Sequence, residues 1–207
     1  MNAIINSKNA LSALFLIPIL ESAIAMAMPQ DGISVTHVLI NVVLSLLLGL
    51  ACFYLAKTDN EYITSKSQRI GMYILSAYNI VLDVIVWRLL VLINEDWNIM
   101  YFFAQLFGDE TIGTTIGGTL YGLFDLAYLV AFVMFVWGIP ASKSYKSLIT
   151  TVFFIPLILS VIISLLTSTA ENTADYGDLI IKTFNIMSDG LMFYLVFKAY
   201  KRKNEIE

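Results

Sequence analysis

Six apolar stretches, at 10–28, 34–57, 69–94, 112–138, 147–167 and 176–200, occupy most of this 207-residue chain. A helix needs about 20 mostly apolar residues to cross a hydrocarbon core of about 30 Å, and each stretch meets that length. Composition points the same way. The chain is 58% hydrophobic and 14% charged, with a mean hydropathy of +0.79, whereas soluble domains run near 45–50% apolar and about 25% charged. A soluble enzyme and a disordered chain are therefore excluded. Lys and Arg number 12 against 16 Asp and Glu, a net charge of −4, so there is no basic field for nucleic acid. The lone Cys52 rules out an internal disulfide and a cysteine-rich metal site. The expected fold is all-α: a polytopic integral membrane protein, one transmembrane domain over 1–207, built as a bundle of six helices in the lipid bilayer.

Charge placement sets the expected orientation. Lys8 precedes the first span, Lys57, Lys66 and Arg69 separate the second from the third, Lys143 and Lys146 follow the fourth, and Lys198, Lys201, Arg202 and Lys203 follow the last. Ten of the twelve basic residues thus fall on one side. The opposite loops carry Asp31, Glu95, Asp96, Asp109, Glu110, Glu171, Asp175 and Asp178. The positive-inside rule then makes both termini cytoplasmic and the cytoplasmic membrane the expected location. Glu21 within the first span, with Lys8 the only basic residue before it, argues against a cleavable signal peptide. The segment Ile99 to Phe107 is too short to cross; with Trp97 and Tyr101 beside it, it is expected to lie at the membrane surface. The loop carboxylates are read as solvating charges rather than metal ligands, and His37, alone at the outer end of its span, is not read as one either. Trp97 and Trp137 sit near span ends, as interfacial aromatics do, whereas Trp87 lies deeper, beside Arg88.

Two internal matches compete. Phe15-Leu16-Ile17-Pro18 parallels Phe153-Phe154-Ile155-Pro156, and Gly49-Leu50 with Phe53-Tyr54-Leu55 parallels Gly190-Leu191 with Phe193-Tyr194-Leu195, which suggests a repeated helical hairpin. Tyr78-Asn79-x3-Asp83 against Phe184-Asn185-x3-Asp189 suggests instead an inverted three-plus-three repeat. Such matches arise readily by chance in so apolar an alphabet; the hairpin is preferred. Pro18 and Pro156 are expected to kink their helices. Gly113-x3-Gly117, beside Gly118, is expected to let a helix approach closely.

Polar residues at membrane depth carry the functional signal. Glu21, Asp83, Asp125 and Asp189 lie near the middle of their spans, where each would cost about 2.5–3.5 kcal/mol if unpaired. They are therefore expected to face the bundle interior. Asn79 and Asn185 stand one turn before Asp83 and Asp189, and each pair places an amide and a carboxyl on one helix face. Tyr78, Tyr121, Tyr128 and Tyr194 are further hydrogen-bond donors. Arg88, five residues past Asp83, is turned about 140° from it in an α-helix, so a neighbouring helix is its expected partner; should Asp189 be half of a buried ion pair rather than a proton or cation site, Arg88 is the favoured cation. Gly190 is expected to let a neighbour or solute approach Asp189. The bland reading of these acids is a network that fixes helix packing; the sharper one is a cavity or pathway, since carboxyls in low dielectric exchange protons nearer neutral pH.

No motif supports catalysis: HExxH, GxSxG and P-loop patterns are absent. Asp178-x3-Lys182 superficially resembles the Schiff-base helix of microbial rhodopsins, but Lys182 lies too near the outer end and only six spans are present, so no retinal or other cofactor is expected. The leading expectation is a small transporter or channel-like protein. Glu21, Asn79, Asp83, Arg88, Asp125, Asn185 and Asp189 would line a midplane cavity for a cationic or protonatable solute or for coupled protons. The alternative is a non-transporting sensor module or assembly subunit that binds partners through its helices. The small size favours a homo-oligomer or a larger membrane complex.

Overall fold

Short polar signals between the apolar runs fix where helices begin. Ser65 and Gln68 form a reciprocal capping box, with the Gln68 backbone N–H donating to Ser65 Oγ at 3.1 Å and the Ser65 N–H donating to Gln68 Oε1 at 3.2 Å. Asp109 caps the next long helix by accepting from the N–H groups of Thr111 (2.7 Å) and Ile112 (3.2 Å), and Glu110 adds negative charge to its first turn. These signals lie in the polar flanks, so the helices start up to a turn before the apolar runs that sequence periodicity delimits.

The computed structural model describes residues 6–27, 35–89, 99–167 and 174–204. Seven helices result: α1 Ser7–Ala27, α2 Val35–Lys57, α3 Lys66–Ala77 continued by a π-helical segment Tyr78–Leu89, α4 Ile99–Phe107, α5 Glu110–Trp137, α6 Lys143–Thr167 and α7 Ala174–Asn204. Among the described residues there is no strand. Six of the helices are long and apolar enough to cross a membrane; α4 is not. Trp97 and the acids Asp31, Glu95, Asp96 and Glu171 lie outside the described residues, as do the side chains of Trp87, Asp175 and Asp178 and with them any Asp178–Lys182 pair.

The long helices pack as a ring in the order α1–α2–α3–α5–α6–α7, and α7 returns to α1. Five seams are close; α5 and α6 touch only sparsely. Small residues make the close seams. A Cβ at Gly49 would lie 2.5 Å from Ile80 of α3, and one at Gly71 2.6 Å from the Ala131 carbonyl oxygen of α5. Gly190, the counterpart of Gly49 in the hairpin match, faces open space; no neighbour approaches there.

Core packing is concentrated at one end. Leu11 and Phe15 of α1, Leu55 of α2, Met72 of α3, Phe135 of α5 and Val196 of α7 are fully buried in a single cluster. All lie in the half of the bundle that carries the basic residues. A polar knot closes that end. The buried Gln68 amide donates to the carbonyls of Phe135 (3.2 Å) and Tyr62 (3.4 Å), and Tyr200 Oη donates to the Tyr62 carbonyl at 2.6 Å. Burial and the neighbouring Glu61 push the Tyr62 phenol up to about 12, so it stays neutral at physiological pH. Outward faces are apolar over most of the bundle: Val43, Val161 and Met187 are each more than half exposed. A surface of that kind is normally covered.

The α4 segment, as expected too short to cross, is packed against α5. It folds back antiparallel along the first turns of α5, with Ala104 on Gly113 and Met100 on Gly117, where a Cβ at Gly117 would lie 2.7 Å from Met100 Cα. The turn is made at Gly108, whose φ of +67° suits glycine. The Gly113-x3-Gly117 groove thus does permit close approach, and it holds α4 along α5 rather than flat across the bundle end. Overpacking a close seam costs about 1–3 kcal/mol. Gly71→Ala should therefore lower the melting temperature in detergent, while Gly122→Ala, which points into open space, should hold or raise it; equal effects would contradict the packing described.

Candidate functional site

The four mid-helix carboxylates lie at similar heights in the bundle, about 18–26 Å along their helices from the basic end at 1.5 Å per residue. The ring separates them into three environments.

The first is an ionic cluster joining α1 to α3. Arg88 Nε donates to Asp83 Oδ2 at 3.0 Å, and Arg88 Nη2 lies 3.8 Å from Glu21 Oε1. Glu21 Oε1 also accepts from Ser45 Oγ of α2 at 3.0 Å. The expectation that Arg88 turns away from Asp83 fails because the helix is not α there. In the π-helical segment Tyr78–Leu89 the i→i+5 pattern stacks residues five apart, which brings Asp83 and Arg88 onto one face. The preference for an Arg88–Asp189 pair fails with it: Arg88 is committed to Asp83 and Glu21. At the start of the π segment, Asn79 Nδ2 donates to the Leu75 carbonyl at 2.7 Å. The Asn79 amide thus bonds backbone where the helix changes hand-off from i+4 to i+5.

The second environment is a cavity of about 200 Å³ inside the ring. Glu21 and Ser22 of α1, Asn79 of α3, Tyr128 of α5, and Asn185 and Asp189 of α7 supply its polar lining. Phe15, Pro18, Phe132 and Phe153 supply apolar wall, and Phe132 and Phe153 stack at 3.9 Å between centroids. Asn185 and Asp189 share the cavity as their spacing predicts. Asn79 and Asp83 do not, because Asp83 is drawn to Arg88 and is absent from the lining. Among the described residues no Lys or Arg comes within ion-pair distance of Asp189.

The third environment is a cleft of about 280 Å³ at the sparse α5–α6 seam. Asp125 and Leu129 line it from α5, Pro156 and Leu157 from α6, and Ser188 and Asp189 from α7. Asp125 is solvent-exposed in the isolated chain and accepts from Tyr78 Oη at 3.2 Å. It lines only this cleft. Asp189, Asn185, Tyr128, Phe153 and Met192 line both the cleft and the central cavity, so the two spaces meet at Asp189.

One feature escapes a search for charged residues. His37, Asn41 and Ser45 recur every four residues on α2 and so share one face. Asn41 and Ser45 are buried, and His37 Nε2 and Asn41 Oδ1 have no hydrogen-bond partner among the described residues. The stripe descends from the start of α2 to Glu21. Its signal is the spacing alone. A second omission is Ser188, whose Oγ donates to the Val152 carbonyl at 2.7 Å and ties α7 to α6 beside Asp189.

Among the described residues, no three His, Cys, Asp or Glu side chains converge as a metal-binding set. Comparison with known proteins returns no matching family model, no similar curated protein and no similar solved structure. The site's chemistry must carry its interpretation.

Breaking a buried ion pair by removing one partner costs about 3–5 kcal/mol. Arg88→Gln, which strands both Asp83 and Glu21, should therefore lower thermal stability in detergent markedly. Adding Asp83→Asn should recover much of the loss, whereas adding Asp189→Asn should shift stability only as far as it does in the unsubstituted protein. Recovery by Asp189→Asn instead would return Arg88 to the partner that α-helical geometry suggests.

Proposed function

We propose that this chain is a small multi-span membrane transporter or channel-like protein, held in the cytoplasmic membrane with both termini inside, whose central cavity takes a cationic or protonatable solute. The observation that carries this reading is Asp189: a carboxylate at the meeting point of two cavities with no cation beside it among the described residues. Asn185 stands one turn away as a neutral polar ligand, and Tyr128, Phe132 and Phe153 offer aromatic faces of the kind that attract cations. A packing network alone would pair its charges, as Arg88 pairs with Asp83 and Glu21.

Access follows from where packing stops. The basic half of the bundle is filled by the buried cluster and the Gln68 knot, which favours a state closed on the side assigned here to the cytoplasm. Toward the other side, the unpartnered groups of His37 and Asn41 lead along α2 to Glu21, and buried polar groups of that kind are satisfied by water or solute. Alternating access would then require the basic-end plug to open while the outer half closes. A non-transporting sensor or assembly subunit is the competing class; it has no need of an unpaired carboxylate inside the ring.

Purified protein in proteoliposomes, assayed for uptake of small monovalent and organic cations across an imposed gradient, tests the proposal. Asp189→Asn keeps the shape but cannot ionise, so it should abolish cation-dependent flux and its pH dependence while holding or raising the melting temperature. Unaltered flux in that variant would remove Asp189 as the solute site, and no flux in the unsubstituted protein for any cation tested would favour the sensor class. Orientation is read separately: in a Cys52→Ser background, a membrane-impermeant thiol reagent applied to whole cells should label Glu110→Cys and spare Ser144→Cys.

A further inference from the structure

At the basic end, outside the ring, α1, α7 and the 58–65 connection bound a groove of about 810 Å³ that the solute pathway does not use. Its composition is graded along α7. Phe193, Tyr194 and Phe197 form the apolar part, with Phe193 and Phe197 rings 4.6 Å apart. Lys198, Lys201 and Arg202 follow within the next two turns, and Lys8 of α1 faces them from across the groove. Among the described residues Glu61 is the single carboxylate in the lining. Tyr194, Lys198 and Arg202 are spaced by four and so share one face; Lys198 Nζ lies 3.1 Å from Tyr194 Oη and 5.2 Å from its ring centroid. From Phe193 to Arg202 the helix rises about 13 Å. An aromatic stretch that passes into a cluster of cations over that length matches an amphiphile with apolar chains and an anionic head.

We propose that this groove is a binding site for one anionic glycerophospholipid, its acyl chains along Phe193 and Phe197 and its phosphate between Lys8, Lys198 and Arg202. The charge complementarity is local: Lys66 and Lys143 share the basic end but lie outside the lining. An unbound phosphoester would satisfy the cations yet leave the aromatic half of the groove without a partner. A lipid fills both.

The test titrates the full-length protein, in an uncharged detergent, with fluorescent phosphatidylglycerol or phosphatidylcholine. Phosphatidylglycerol should bind saturably and raise the melting temperature, and phosphatidylcholine should do neither. Each basic residue near an anionic head contributes roughly a fivefold change in affinity, so Lys198→Gln with Arg202→Gln should weaken binding about twenty-five-fold. Lys66→Gln with Lys143→Gln removes the same charge elsewhere and should leave binding unchanged. Tyr194→Ser, at an exposed position, should weaken binding without altering the melting temperature of the lipid-free protein. Equal losses in the two lysine-containing pairs would reduce the effect to net charge and overturn the site. Competition by glycerol 3-phosphate as strong as that by phosphatidylglycerol would replace the lipid with a soluble phosphoester.

Discussion

Arg88 holds the polar interior together. It sits more than five turns along the third span, and its one guanidinium serves two carboxylates, Asp83 on its own helix and Glu21 on α1. A cation held inside the bundle is expensive unless partnered, and so are the two acids. Sharing makes each tolerable. The pairing also defines the local backbone, because residues five apart meet only where the helix widens to the i→i+5 pattern. Segments of this kind are usually single turns; here the π-helical segment runs from Tyr78 to Leu89. It turns Asp83 toward α1 and leaves Asn79 as the only residue of that motif in the cavity wall.

The division of the bundle follows from the distribution of small and aromatic residues. At the basic end, Gly71 and Gly138 bring backbones or side chains into close contact, and Phe15, Phe132, Phe135 and Phe193 interlock through ring contacts between 6.1 and 6.5 Å. Among the described residues burial thins out toward the other end, and at α5–α6 the ring is scarcely closed. The cavities lie at the boundary between these regimes, where a tightly packed half meets an open one. Polar groups at such a boundary can meet water on one side while the other excludes it, an arrangement that a gated pathway requires.

Much of this architecture was legible in the sequence. Apolar run length located six long helices, and the spacing of Asn185 and Asp189 placed both in one cavity, since α7 keeps α-helical geometry through that stretch. Gly113 and Gly117 marked a close contact for the same reason, though not its partner, because which segment folds onto a small-residue groove depends on tertiary geometry. The π-helical segment could not be read, since residue spacing was interpreted with a single angle per residue, and that angle is wrong over Tyr78–Leu89. The His37-Asn41-Ser45 stripe was visible as spacing but carries no formal charge at neutral pH. A search weighted toward ionised groups passes over it. Gly190 misled for a further reason: its match to Gly49 preserves sequence, while only Gly49 has a helix opposite it.

Charge accounting in the interior leads to the solute. Arg88 offsets at most one of the two acids it touches, and Glu21 is further stabilised by the Ser45 hydroxyl at 3.0 Å. Asp189 has neither aid among the described residues. Burying an uncompensated carboxylate costs several kcal/mol, a large fraction of the 5–15 kcal/mol by which folded domains are typically stable. A site that existed only to hold helices together would gain from replacing Asp189 with a neutral side chain, since Asn185 and Ser188 already give α7 polar groups at that level. Retaining the acid makes sense where a proton or a cation visits it, because the same electrostatic cost then becomes affinity for the visitor. The neighbouring cleft at α5–α6 and the polar stripe on α2 give that visitor two directions from which to come, one lined mainly by apolar side chains and one by polar groups. Under the proposed transport function, the polarity of the solute would decide between them: a hydrated ion would follow His37 and Asn41, and an amphipathic amine would enter between Leu129 and Leu157.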